Sequence, residues 1–145
     1  MIYQNKKTTM IQTFNSCKTL WNWIPKLCSD SYIMQRSIRT VSLQNKPTDI
    51  RLNMNKNRQG EWEVSALCFR QAINGSHVGA GRGVLYSPMH TIQFLKEIYA
   101  NDQSKVENTV QSVVDLGYKI CRALDESPHH MADLGIDFGI YLAGL

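Results

Sequence analysis

The chain lacks the residue groupings that mark several common reaction centres. Its four cysteines stand at 17, 28, 68 and 121. None forms a CxxC pair, which argues against a zinc knuckle. Each lies near apolar residues, so reduced, buried thiols are expected rather than a disulfide framework. No stretch approaches the ~18 apolar residues of a membrane span. The lysines of the opening MIYQNKKTTM are not followed by an apolar segment, so no secretory signal is expected. These absences point to a cytoplasmic protein without a membrane partner. Neither GxGxxG nor GxxxxGKS/T occurs, and no Ser-His-Asp or Cys-His set can be read. His129 and His130 are adjacent, so as strand or loop neighbours they point apart and read as surface residues. Trp21, Trp23 and Trp62 read as core.

What is present describes an ordinary globular unit. The 145 residues suit one domain. Hydrophobic residues make up 43% and charged residues 19%, which excludes disorder throughout. The net charge of +4 suits an anionic ligand such as a nucleotide. The basic residues are scattered, with small groupings such as Lys6–Lys7 and Arg36/Arg39. A nucleic-acid partner needs a clustered stripe and is not expected.

Residues 1–15 are polar and unpatterned and read as a frayed end. The body of the domain is residues 16–145. Ser16 is placed to cap a helix from Cys17 to Cys28, with Leu20, Trp23, Ile24 and Leu27 on one face. Pro25 inside that pattern predicts a kink or a short helix. Ser31 to Ser37 reads as a strand, followed by a loop through Asn45, Lys46 and Pro47. From Asp49 to Asn57 the pattern alternates, with Ile50, Leu52 and Met54 facing one way and Asp49, Arg51 and Asn53 the other. Asn57-Arg58-Gln59-Gly60 is a turn and Glu61 to Gln71 the returning strand, which makes a hairpin. Asn74-Gly75 signals a further turn before a short strand at Ser76 to Val78. Gly79-Ala80-Gly81-Arg82-Gly83 forms a glycine loop. Pro88 opens a helix to about Ala100. A longer helix spans about Gln103 to Glu126, with Val106, Val110, Val113, Gly117, Ile120, Cys121 and Leu124 on its buried face. Asp133 to Leu142 alternates again as a final strand. The order predicts an α+β fold, an antiparallel sheet with flanking helices.

The chemistry-bearing residues lie on polar strand faces. Asp49 and Arg51 are two apart, so both point to one side. Arg70 ends the partner strand, Arg82 sits in the glycine loop, and Asp137 is the lone acid of a final strand otherwise apolar. If the sheet is continuous, three arginines and two carboxylates converge. Such a set suits a phosphate with a metal ion, because guanidinium forks match phosphate oxygens and a carboxylate binds Mg²⁺. A charged strand face is also an ordinary solvated surface, so these residues alone leave both readings open. The glycine loop can likewise wrap a phosphate or be a plain turn.

Taken in order, YIMQRSI, KPTDIRLNMNKNRQGEWEVSALCFR, GSHVGAGRG and LGIDFGI resemble the C-terminal half of ATP-grasp ligases. Within them the match is to the spore-coat-associated YheC/YheD group and covers about residues 16–140. The resemblance implies that the backbone of Tyr32, Ile33, Met34 and Gln35 meets adenine. It implies that Asp49 binds the ribose hydroxyls, that Arg82 lies in the nucleotide loop, and that Arg51 and Arg70 face the phosphates or an acyl phosphate as catalytic groups. Asp137 would be a Mg²⁺ ligand. Members of the superfamily join a carboxylate to an amine or thiol at the expense of ATP.

Three departures stand out. The loop has Gly79-Ala80-Gly81-Arg82-Gly83 where the group carries Asn before GG. The hinge has Arg36-Ser37 where Gln-Gly is usual. After LGIDFGI the chain reads Tyr141-Leu142-Ala143-Gly144-Leu145, without the E-x-N pair that completes the metal site. The expectation is therefore a truncated ATP-grasp C-terminal portion that holds ATP and Mg²⁺ weakly and is inactive alone. The alternative is a non-catalytic, spore-coat-associated structural protein on the same scaffold. Self-association is expected through an apolar edge at Ile136, Phe138 and Ile140.

Overall fold

The computed structural model describes residues 2–4, 9–11, 14–26, 40–72, 83–85, 88–128 and 130–141. These fall into two compact units, Met1–Ser37 and Ile38–Leu145. The boundary drawn from the sequence at 15/16 lies inside the first unit.

In the first unit, β1 (Ile2–Gln4) pairs antiparallel with β2 (Thr9–Ile11). The sequence reading assigned no element here, because three-residue strands are too short to show alternation. Helix α1 (Cys17–Trp23) is capped by Ser16, whose Oγ accepts from the Thr19 N–H at 3.2 Å. Its regular turns stop at Trp23, and Ile24–Lys26 continue as a 3₁₀ turn around Pro25. The proline has no N–H to give to the residue four back, so the helix ends well short of Cys28. Phe14 packs on Trp23 with ring centroids 5.0 Å apart. Trp21 is 70% exposed, which corrects its reading as core. Cys17 is also exposed. The expected strand at Ser31 to Ser37 lies outside the described residues.

Among the described residues the second unit is a five-stranded antiparallel sheet with helices on one face, the expected α+β class. Strands β3 (Ser42–Leu43) and β4 (Lys46–Lys56) are joined by Gln44 and Asn45, with φ of 52° and 59°. Positive φ at both central residues is the hairpin turn whose twist matches the strands it joins. Lys46 and Pro47, read from the sequence as loop, therefore start β4. Pro47 is tolerated there as the second residue of the strand. Strand β4 pairs with β5 (Trp62–Ala72), and β5 with β6 (Gly83–Leu85). The expected strand at Ser76 to Val78 lies outside the described residues. The last strand, β7 (Asp133–Phe138), returns to the other side of β4.

Helices α2 (Pro88–Ile98) and α3 (Gln103–Asp125) cover the face that carries Ile50, Leu52 and Met54, all 1% exposed or less. Phe94 of α2 stacks on Phe69 of β5 at 4.1 Å between ring centroids. Gly117 of α3 lies so close to β4 that a Cβ there would be 2.2 Å from Leu52 Cδ2. Of the predicted apolar stripe of α3, Val106, Val113, Gly117 and Cys121 are buried, while Val110, Ile120 and Leu124 are half-buried. Ile136, Phe138 and Ile140 pack against this core and are half-buried. Because strand side chains alternate, burial of Ile50, Leu52 and Met54 turns Asp49, Arg51 and Asn53 to the opposite face.

Candidate functional site

Cross-strand register assembles the charged residues on that opposite face. Asp49 pairs directly with Arg70 across the β4–β5 ladder. Arg51 pairs directly with Asp137 across the β4–β7 ladder. The four side chains therefore come from three adjacent strands, and each is held by a directly opposing partner.

The contacts are forked. Arg51 Nε donates to Asp137 Oδ1 at 2.7 Å and its Nη2 donates to Oδ2 at 2.9 Å. Arg70 Nε donates to Asp49 Oδ1 at 2.6 Å and its Nη2 to Oδ2 at 2.5 Å. Arg70 Nη2 also lies 2.8 Å from Asp137 Oδ2. Arg70 thus bridges both acids, while Arg51 has one. Burial follows the same order: side-chain exposure is 7% for Arg70 and 16% for Asp49, against 34% for Arg51 and 43% for Asp137. The inner pair is a fixed strut and the outer pair faces water.

The electrostatics agree with the geometry. Burial disfavours a charged Arg70, but hydrogen bonds and charge from Asp49 and Asp137 override it and raise its pKa above the ordinary value. Burial also works against ionisation of Asp137. The bonds from Arg51 and Arg70 prevail, so its carboxyl titrates below the usual range. Two arginines against two carboxylates leave the cluster formally neutral.

Of the residues singled out from the sequence, Asp49, Arg51, Arg70 and Asp137 are brought together. Tyr32, Ile33, Met34, Gln35 and Arg82 lie outside the described residues. Sequence reading missed two neighbours. Cys68 opposes Arg51 on the same face, and its two-residue spacing from Arg70 was the signal. Gly135 lies beneath the Arg51 side chain: a Cβ there would be 3.4 Å from Arg51 Cζ and Nε. Nothing in the sequence alone marks that contact.

Among the described residues, no three His, Cys, Asp or Glu side chains gather as a metal-holding group. The donor set fits Mg²⁺ only in the mode where one or two carboxylates act together with substrate phosphates and waters. Two described concavities of about 340 Å³ are lined largely by α3, one beside Trp62 and one beside Phe138, and neither includes the charged cluster. Trp62 donates through Nε1 to Asp125 at 2.8 Å, and Lys56 binds the other oxygen of that carboxylate at 2.7 Å. This network ties the hairpin to the end of α3. Trp62 itself is half-buried. No described helix is long and apolar enough to cross a membrane.

Comparison with known proteins gives two matches. The family model described as YheC/D like ATP-grasp matches residues 1–144. The endospore coat-associated protein YheD of Bacillus subtilis (strain 168) is 26% identical over 113 residues. That alignment covers 75% of this chain and 23% of the relative, so the chain corresponds to under a quarter of the relative's length. No solved structure gives a significant match.

Proposed function

The chain belongs to the YheC/D-like ATP-grasp family, and on that premise we propose that the face built by Asp49, Arg51, Arg70 and Asp137 is the phosphate and metal wall of a Mg·ATP site. The observation that carries this reading is the forked Arg51–Asp137 pair, open to water on the sheet face away from the helices. A magnesium nucleotide supplies a partner for each member of that pair. The guanidinium exchanges carboxylate oxygens for phosphate oxygens of the same planar geometry. Asp137 stays held by Arg70 at Oδ2, and its Oδ1 would be available to hold the metal. Arg70 and Asp49 stay paired and hold the wall in shape. Any ribose contact of Asp49 uses the lone pairs that Arg70 leaves open.

In a carboxylate–amine or carboxylate–thiol ligase, such a wall stabilises the phosphoryl group as it passes from ATP to the carboxylate. We propose that this chain alone binds nucleotide weakly and without turnover. Arg51 and Asp137 are 34% and 43% exposed, and water competes for contacts made at that dielectric.

A second reading is a coat-associated scaffold in which the ion pairs serve structure alone. The formal neutrality of the cluster and the coat association in the name of the YheD relative favour it. Thermal unfolding with ATP, with and without Mg²⁺, separates the two. The nucleotide reading expects a Mg²⁺-dependent rise in the midpoint that is lost in Arg51→Gln. Equal midpoints under all conditions would leave the scaffold reading standing.

A further inference from the structure

Gly135 occupies a position where a glycine is locally unfavourable. It lies within strand β7, opposite Asn53 of β4. A glycine inside a strand gives up ordering entropy and offers no side chain to pack. Among the described glycines only Gly60 has a positive φ, so the backbone at 135 is open to any L-residue. The residue is exposed, so no core packing demands a small group there. The other two β7- and α3-region glycines differ. The missing Cβ of Gly117 makes room for Leu52, and that of Gly139 for Thr40. At Gly135 the three nearest atoms are Cζ, Nε and Nη1 of Arg51, at 3.4, 3.4 and 3.5 Å from where a Cβ would lie. A lone methyl fits there in ordinary contact. A longer side chain that extends from it toward Arg51 meets the guanidinium.

We propose that Gly135 is a positioning residue for Arg51, a gap in the side-chain layer of β7 across which the guanidinium lies flat on the sheet and reaches Asp137. The proposal rests on the nucleotide-site reading for its functional meaning, but its geometry stands separately. Arg51 starts on β4 and lies diagonally over Gly135, so its fork meets both Asp137 oxygens. A branched side chain at 135 lifts the fork off that plane. It then loses the aim needed for Asp137 in the free protein and for phosphate oxygens in the complex. A glycine kept for folding predicts that a larger residue destabilises the chain. A glycine kept for Arg51 predicts the opposite pairing, with stability held or raised and site function lost.

The test compares the full chain with Gly135→Ala, Gly135→Val, Arg51→Gln and the double variant Gly135→Val/Arg51→Gln. The first readout is the Arg51 Nε–H signal in nitrogen–proton NMR, whose position and slow exchange report the fork on Asp137. Gly135→Val is expected to shift that signal and speed its exchange, with an unchanged or higher unfolding midpoint. Gly135→Ala should change it less. An Arg51 Nε–H signal indifferent to Gly135→Val overturns the proposal. The second readout is calorimetric binding of Mg·ATP. Loss of one charge-assisted fork is expected to weaken binding about tenfold in Gly135→Val. The double variant should be no weaker than Arg51→Gln alone, because the glycine acts only through that arginine. Additive losses would overturn the proposal. If the unsubstituted chain shows no saturable binding while the Arg51 signal still responds, the nucleotide reading fails and the positioning role remains.

Discussion

Arg70 donates to Asp49 through Nε and Nη2 and reaches Asp137 through the same Nη2, so one buried guanidinium ties β5 to β4 and β7 together. Among the described residues Arg51, by contrast, serves only Asp137 and is more exposed. Two arginines that look equivalent in sequence therefore differ in what their removal does. Arg70→Met leaves two carboxylates facing each other in a partly dry site and should cost about 3 kcal/mol or more, as for breaking a buried pair from one side. Arg51→Gln removes a partly exposed pair, and its effect should stay within about 1 kcal/mol. Urea denaturation of both variants checks the order. Equal losses would show that burial does not separate the two pairs.

The depressed Asp137 titration makes a pH prediction with a definite sign. In the unfolded chain the carboxyl takes up a proton at its ordinary pKa; in the fold, Arg51 and Arg70 hold it ionised to lower pH. The unfolded state therefore binds more protons in that window, and stability rises with pH there. The contribution is complete above the ordinary carboxylate range and disappears as pH falls through the folded value. Asp102 and Asp125 are shifted the same way by a helix-cap bond and by Lys56 with Trp62. Asp137→Asn should thus flatten the acid limb only in part. Chemical denaturation between neutral and acid pH measures this. An unchanged acid limb would show that the Asp137 pairing does not differ between folded and unfolded states.

The hairpin and the long helix were legible because each writes its period into the sequence. Ile50, Leu52 and Met54 alternate with Asp49, Arg51 and Asn53, and that alternation alone predicts which face meets water. Val106, Val113 and Cys121 repeat at helical spacing. What was not legible is pairing across the sheet. That Asp137 sits opposite Arg51 depends on β7 docking beside β4 in one register out of several. Residues 136 and 52 settle it by burying their side chains in the same layer, a tertiary fact with no local signature. Pro47 misled for a related reason: it signals a loop in isolation, yet at the start of β4 the N–H it lacks is tolerated. Gly135 and Gly117 look alike in sequence. Only their neighbours, Arg51 and Leu52, tell a gap beside the charged cluster from a packing one.

Gly117 supplies the packing counterpart. Alanine is the better helix former by about 1 kcal/mol, so Gly117→Ala would stabilise an isolated α3. In the fold its methyl would lie 2.2 Å from Leu52 Cδ2, on a residue with no exposed surface. Overpacking of that kind costs about 1–3 kcal/mol and should outweigh the propensity gain. Leu52→Val shortens the obstructing side chain, so the double variant should lose less than the sum of the singles. Additive losses in thermal unfolding would mean that the helix moves away as a body.

Asn57 allows stability and site function to be separated at the far end of the same hairpin. Its Oδ1 accepts the N–H groups of Gln59 and Glu61 at 3.0 and 2.9 Å, and its Nδ2 donates to Glu61 and Glu63 at 3.2 and 2.8 Å. Gly60, at φ 82°, completes the turn. Asn57→Ala leaves two turn N–H groups to water and should lower stability by about 1 kcal/mol, the usual net worth of such bonds. The charged cluster begins six residues up β4 at Arg51, about 20 Å away at strand rise, and its strands are held there by the buried layer of Ile50 and Leu52. Mg·ATP affinity should therefore match that of the unsubstituted chain once both are measured well below their unfolding midpoints. A parallel loss of affinity would mean that the turn sets the β4–β5 register, and that the ion pairs follow the pairing of the strands.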